Sequence, residues 1–166
     1  MKIRWRGHAS FLIETGGQRI VTDPFNAEVG YPMVPLEADI VTVSHEHWDH
    51  NAVESIGGDP LVIKGVGARE VEGIFLHGID SCHDINQGRD RGANTIFKIS
   101  AEGIHVVHLG DLGHPLSAEQ VAEIGQVDIL LVPVGGTFTI DAQEAVAVTN
   151  LLQPRIVIPM HYATPH

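Results

Sequence analysis

The sequence predicts an α/β chain of the layered α+β kind, a two-layer β core with helices outside it. Three observations lead there. Short β-type runs dominate the first half of the chain. In the last third, two capped helical segments alternate with apolar strands. No linker, low-complexity tract or short repeat divides residues 1–166, and 166 residues is about one domain's worth.

The elements follow in order. Ile3–Arg6, Ser10–Glu14 and Arg19–Thr22 are β-rich, and Gly16-Gly17 between the last two signals a hairpin. Ile40–Ser44 reads as a buried strand, and Leu61–Lys64 and Ile74–His77 as shorter ones. Asn94–Ser100 and Gly103–Gly110 flank Ala101-Glu102 and suggest a second hairpin. Ser117–Ile124 is a helix with Ser117 and Gln120 at capping-box spacing. Asp128–Val132 is a strand. Asp141–Leu152 is a helix with Asp141 and Glu144 at the same spacing and Pro154 past its end. Arg155–Pro159 is a final apolar strand, so the last third implies parallel crossovers.

Composition narrows the function. Apolar residues make up 43% of the chain and charged ones 19%, which is globular. Ten basic against 21 acidic residues give a net charge of −11, a poor match for nucleic acid or an anionic membrane. No signal peptide or membrane-length apolar run stands out, so the expectation is a cytoplasmic protein. The single cysteine, Cys82, allows no internal disulfide and fits a reducing compartment. Eleven histidines are the first pointer to metal binding.

The strongest local feature is Ser44-His45-Glu46-His47-Trp48-Asp49-His50-Asn51, directly after a buried strand. Alternate side chains on extended backbone share a direction, so His45 and His47 can converge on one point. A helix starting near Asp49 would aim Asp49 and His50 at a neighbouring point. The plain alternative, a solvated histidine-rich loop, fares poorly because the segment is internal, is no homopolymer and sits where a strand ends. His83, Asp111 and His161 each follow a β-type run in the same way. Strand ends lie together on one sheet edge, so these seven side chains can supply nitrogen and oxygen ligands for two metals with a position left open.

Other residues keep two readings. His8, in Gly7-His8-Ala9, is either a pocket residue or a satisfied buried histidine. Tyr162 can place a hydroxyl at the pocket edge. His108 falls on the opposite strand face from Asp111 and reads as a support behind the ligands or as core; His114 reads as rim or plain surface. Arg89 and Arg91 can clamp an anion but read better as a solvated pair. Cys82 reads as a small core residue.

The pattern His45-x-His47-x-Asp49-His50, then His83, Asp111 and His161, resembles the metallo-β-lactamase superfamily. Gly7-His8-Ala9-Ser10-Phe11-Leu12-Ile13-Glu14-Thr15 and Val21-Thr22-Asp23-Pro24 extend the likeness, which looks closest to small prokaryotic metal-dependent hydrolases related to ascorbate-6-phosphate lactonase. The resemblance implies a four-layer αβ/βα sandwich with metals at one edge. It implies that His45, His47 and His83 hold a first metal, that Asp49, His50 and His161 hold a second, and that Asp111 bridges them. It implies that Asp23 braces the ligand loop, and it favours a pocket role for His8. The short segment between Asn51 and His83 leaves the pocket open or completed by a second copy, a homo-oligomer.

Imidazole and carboxylate ligands suit zinc, manganese or iron; zinc is the default. Two such ions can share a water and bring its pKa from about 15.7 toward neutrality, yielding a hydroxide for attack on a carbonyl or phosphoryl centre. Asp49 would orient that hydroxide and take its proton, the catalytic role. Two ions add about +4 beside only two ligand carboxylates, which favours small anionic esters, lactones or phosphate esters as substrates. A phosphodiesterase or nuclease on the same scaffold is disfavoured by the few basic residues. A non-catalytic metal-binding module is disfavoured because structural zinc sites are usually closed and mononuclear.

Overall fold

Strand alternation builds the core. In β2 (Ser10–Thr15), Phe11 and Ile13 point to one face while Leu12 points to the other, and all three are buried. β3 (Gln18–Thr22) and β5 (Ile40–Val43) repeat this with Ile20 and Ile40 inside against Val21 and Val41 outside. Both faces of these strands are covered, which is why they read as near-continuous apolar runs. The computed structural model describes residues 1–164.

Two sheets result. The first has the order β1 (Lys2–Gly7), β2, β3, β5 and β7 (Leu61–Lys64). The second runs β13 (Ile156–Met160), β12 (Ile129–Pro133), β11 (Ile104–His108), β10 (Ala93–Ala101), β9 (Ile74–Cys82), β8 (Gly67–Val71). Phe11, Ile13, Ile20 and Ile40 from the first sheet meet Leu76, Phe97, Ile99, Val106 and Leu131 from the second in one apolar layer between them. Removing one such side chain, as in Ile→Ala, costs about 2–5 kcal/mol in cores of this kind.

Both α-helices lie on the outer face of the second sheet. Ile124 from α1 (Ala118–Ile124) and Ala145, Val148 and Leu152 from α2 (Ala142–Leu152) pack against Ile96, Val107 and Leu130. Ser117 and Asp141 close full capping boxes with Gln120 and Glu144, as their spacing anticipates. The outer face of the first sheet is covered by residues 36–38 and 53–57. There β4 (Leu36–Glu37) pairs with β6 (Ile56–Gly57), and Leu36, Val53 and Ile56 close over Leu12, Val21 and Val41. The layered α+β sandwich is the expected one, with short strands and a 3-10 turn as its outer layer on this side.

The structure adjusts several expected elements. The strand beginning at Ile74 continues to Cys82 and pairs with β8, which the sequence reading does not contain. β11 ends at His108, two residues before Gly110. No helix begins at Asp49; residues 48–50 form a turn closed by His50 N–H to His47 O at 3.0 Å. Cys82 is half-buried near the surface and not a core residue. Both hairpins are present, with Gly16-Gly17 and Glu102-Gly103 at positive φ. β3 and β5 pair in parallel, as do β11, β12 and β13, so their C-terminal ends gather at one edge. No helix among the described residues is long and apolar enough to cross a membrane.

Candidate metal centre

Each chemistry-bearing segment leaves a strand at that shared edge. Asp23 follows β3, the His45–His50 loop follows β5, His83 follows β9, Asp111 comes three residues after β11, and His161 follows β13. His8 sits in the tight turn between β1 and β2. His8, Asp23 and His161 all adopt positive φ, at 51°, 40° and 53°. Non-glycine residues rarely sit there, and such strain concentrates at functional sites.

Glycines let the loops close up. A methyl group on Gly110 would lie 2.3 Å from Asn94 Oδ1 and 2.6 Å from Ser44 Cβ. One on Gly113 would lie 2.3 Å from the backbone of His83. The loop carrying Asp111 therefore presses directly against the loops carrying His45 and His83. Asn94 locks the contact: its Oδ1 accepts from Asp111 N–H at 3.0 Å, and its Nδ2 donates to Leu109 O at 2.9 Å.

Besides the close set of Asp23, His45 and His50, two groups of ligand-type atoms result. His45, His47 and His83 form one, and His8, Asp49, His50 and His161 the other, each with its atoms within 4.8 Å of one another. Asp111 lies between them. Its Oδ2 is 3.2 Å from His83 Nε2, 3.4 Å from His50 Nε2, 3.1 Å from His161 Nε2 and 3.9 Å from His45 Nε2. All seven residues singled out by spacing are thus brought to one place. His50 is fully buried, and His45, His83 and Asp111 nearly so.

Asp23 binds the His45–His50 loop at three points. Oδ1 accepts from Ser44 N–H at 2.8 Å, while Oδ2 meets the Ser44 hydroxyl at 2.5 Å and His50 Nδ1 at 2.9 Å. It turns the other ring nitrogen of His50 toward Asp111. Ser44 also reaches His45 Nδ1 at 2.9 Å. Ser44's part is not visible in sequence, where it looks like the last residue of an apolar strand.

The electrostatics favour a cation. Burial alone would make His50 neutral, yet Asp111 and Asp23 hold its pKa well above the usual imidazole range. His161 is raised too, as its hydrogen bond to Asp111 and that residue's charge outweigh burial. His45 goes the other way, to about 3, through burial and the charge of His50. Burial and the charge of His83 also lower His47. Burial raises Asp111, but the charge of His50 and hydrogen bonds from His161, His50 and His83 keep it well below its ordinary value. Asp49 falls to about 2, because the His8 hydrogen bond and the charge of His50 outweigh burial.

Metal ions fit this arrangement. Among the described residues five buried side-chain polar atoms have no hydrogen-bond partner, and three of them belong to this cluster: His45 Nε2, His83 Nδ1 and Asp111 Oδ1. Buried polar groups are ordinarily satisfied, and orphans gathered at one ligand cluster point to an ion as the missing partner. The donor set is imidazole and carboxylate throughout, which suits zinc, manganese or iron.

Open clefts flank the cluster on both sides. One, of about 400 Å³, is bordered by His8, Asp49, His161, Trp48, Phe138 and Tyr162. His8 Nε2 lies 3.2 Å from Asp49 Oδ2 and 3.0 Å from His50 Nε2. Tyr162, at the cleft edge, stacks on Trp5 at 5.5 Å. The other cleft, of about 410 Å³, is bordered by His45, Glu46, His47, Lys64 and Arg91. His108 stays in the core, bonded to Ala9 O at 2.7 Å. His114 accepts from Cys82 N–H at 3.1 Å, a structural role.

Comparison with known proteins agrees with this picture. Residues 2–161 match a family model described as beta-lactamase superfamily domain. A UPF0173 metal-dependent hydrolase of Methanosarcina mazei is 34% identical, over 99% of this chain and 84% of the relative. One from Thermococcus onnurineus is 31% identical, over 99% of this chain and 85% of the relative. A Thermotoga maritima crystal structure, assigned as a Zn-dependent hydrolase of the metallo-beta-lactamase superfamily, superposes with a TM-score of 0.86 and 46% identity. The match covers 99% of this chain and 77% of that one.

Proposed function

The chain belongs to the family of beta-lactamase superfamily domains, and on that premise we propose that it is a metal-dependent hydrolase of small anionic esters, lactones or phosphate esters. The observation that carries the reading is Asp111, whose Oδ2 stands within 3.9 Å of imidazoles from both ligand groups. The names of the archaeal relatives, metal-dependent hydrolases of similar sequence, support it.

His45, His47 and His83 would hold one divalent ion, and Asp49, His50 and His161 a second, with Asp111 shared; zinc is the default. Ions held there supply Lewis acidity and make water acidic enough to serve as a nucleophile near pH 7. Asp49 projects into the aromatic-lined cleft, partly exposed. Its Oδ2 is the acceptor that orients the attacking water and receives its proton. His8 holds the Asp49 carboxylate from the far side. Asp23 keeps His50 from rotating. The cleft next to Asp49 gives the substrate its approach.

Asp49→Asn tests the assignment. The variant should keep part of its metal, by elemental analysis, and lose most of its turnover across a panel of lactones, phosphomonoesters and phosphodiesters. Unchanged turnover would remove Asp49 from the mechanism. Wild-type protein binding one ion per chain, with no activity on the panel, would sink the dinuclear hydrolase reading.

A further inference from the structure

The two clefts differ in chemistry, and that difference selects a substrate. The cleft beside Asp49 and His161 is walled by Trp48, Phe138 and Tyr162, with no lysine or arginine in its lining. The cleft beside His47 has two cations, Lys64 and Arg91. Lys64 is already neutralised: its Nζ contacts both oxygens of Glu46 at 2.9 and 3.0 Å and Asn51 Oδ1 at 3.0 Å. Arg91 pairs with no carboxylate among the described residues; its guanidinium lies 4.1 Å over the ring of Phe138.

Phe138 belongs to the wall of the other cleft, so Arg91 stands on the boundary between the two. It is also held there. The Asp84 carboxylate accepts four backbone N–H groups, from Asn86, Gly88, Asp90 and Arg91, at 2.8 to 3.2 Å. Burial raises the Asp84 pKa, but those four donors outweigh it and keep the group ionised. Asp84 directly follows His83, so one carboxylate fixes both the ligand and the start of the arginine's side chain. A guanidinium stacked on an aromatic ring keeps its in-plane N–H fork free for a carboxylate or phosphate.

We propose that Arg91, seated on Phe138, binds an anionic group of the substrate while the Trp48–Phe138–Tyr162 cleft takes an aromatic or other flat apolar group, with the scissile bond between them. The substrate is then an amphiphile, anionic at one end and aromatic at the other. This rests on the hydrolase reading for the bond that is cut, but the binding claim stands on the residues alone.

Metal-loaded wild type, Arg91→Ala and Arg91→Lys would be titrated with phenylacetate and with its neutral amide, phenylacetamide. Tryptophan fluorescence reports binding, since Trp48 lines the cleft. Thermal melts confirm folding. Wild type should prefer phenylacetate. Arg91→Ala should reduce that preference by about tenfold or more, the scale of one charge-assisted contact, and Arg91→Lys should fall between. A preference unaltered in Arg91→Ala, or no binding of either compound by wild type, would overturn the proposal. Hydrolysis of 4-nitrophenyl succinate separates the two claims. Arg91-dependent binding without hydrolysis sinks the hydrolase reading alone; hydrolysis without Arg91 dependence sinks this one alone.

Discussion

The two halves of the ligand cluster are built differently. At the all-imidazole position, His47 is exposed, and His45 and His83 each keep a ring nitrogen without a partner. Ser44 holds one nitrogen of His45 and Asp111 one of His83, and loop geometry brings the three rings together. At the mixed position, His50 is pinned through its second nitrogen by Asp23, and Asp49 is engaged by His8. Carboxylates surround this half and raise the pKa values of His50 and His161, whereas burial lowers those of His45 and His47. In one half, His45 and His47 are therefore neutral donors awaiting a cation. The other already holds positive charge as protons.

The largest expected effect tests whether the halves share anything. Asp111→Asn should weaken metal binding at both positions, by more than about 10²-fold, since removing one member of a buried charge cluster costs about 3–5 kcal/mol. Elemental analysis of dialysed protein reads it; loss of one ion with full retention of the other would mean Asp111 serves a single position. Next comes Asp23→Asn. Support of this kind is worth about 10–100-fold in metal affinity, and the loss should fall on the mixed position, seen as one weakened step in a calorimetric titration. Equal weakening of both steps would erase the distinction.

A third difference between the halves is a pH dependence. A histidine with a lowered pKa is neutral and ready to bind at pH 7, while one with a raised pKa must first give up a proton to the ion. Affinity at the mixed position should therefore climb by up to about tenfold per pH unit for each displaced proton as pH rises from 6 to 8. At the all-imidazole position His45 and His47 have no proton to give up, so affinity there should rise less steeply. Titrations in buffers of different ionisation enthalpy would show the larger proton release at the binding step that involves His50 and His161.

Much of this was readable from residue order. His45 to His50 are neighbours in the chain, and strand ends share an edge in any sandwich of this type, so His83, Asp111 and His161 could be placed from the β-type runs before them. Asp23 was placed by resemblance; nothing in its own surroundings marks it. The unreadable parts are contacts between distant loops. Arg91 on Phe138 looks like a solvated charge until the two loops are folded together. Asp84's cage of N–H groups depends on turn geometry no periodicity encodes. β8 escaped because four of its five residues, Gly67 to Glu70, are exposed and carry no apolar alternation.

The sandwich is fastened unequally at its two ends. At the end away from the ligands, the Glu102 carboxylate joins the leaves by accepting from the Thr15 hydroxyl at 2.6 Å and pairing with the Met1 amino group at 3.1 Å. At the ligand end, main-chain bonds such as Thr95 N–H to Ser44 O help, but the imidazoles and carboxylates belong to both leaves and would be drawn together by any ion they share. Any ion held there would act as a rivet as well as a reagent: trace-metal starvation would then shorten the lifetime of the folded chain along with its turnover.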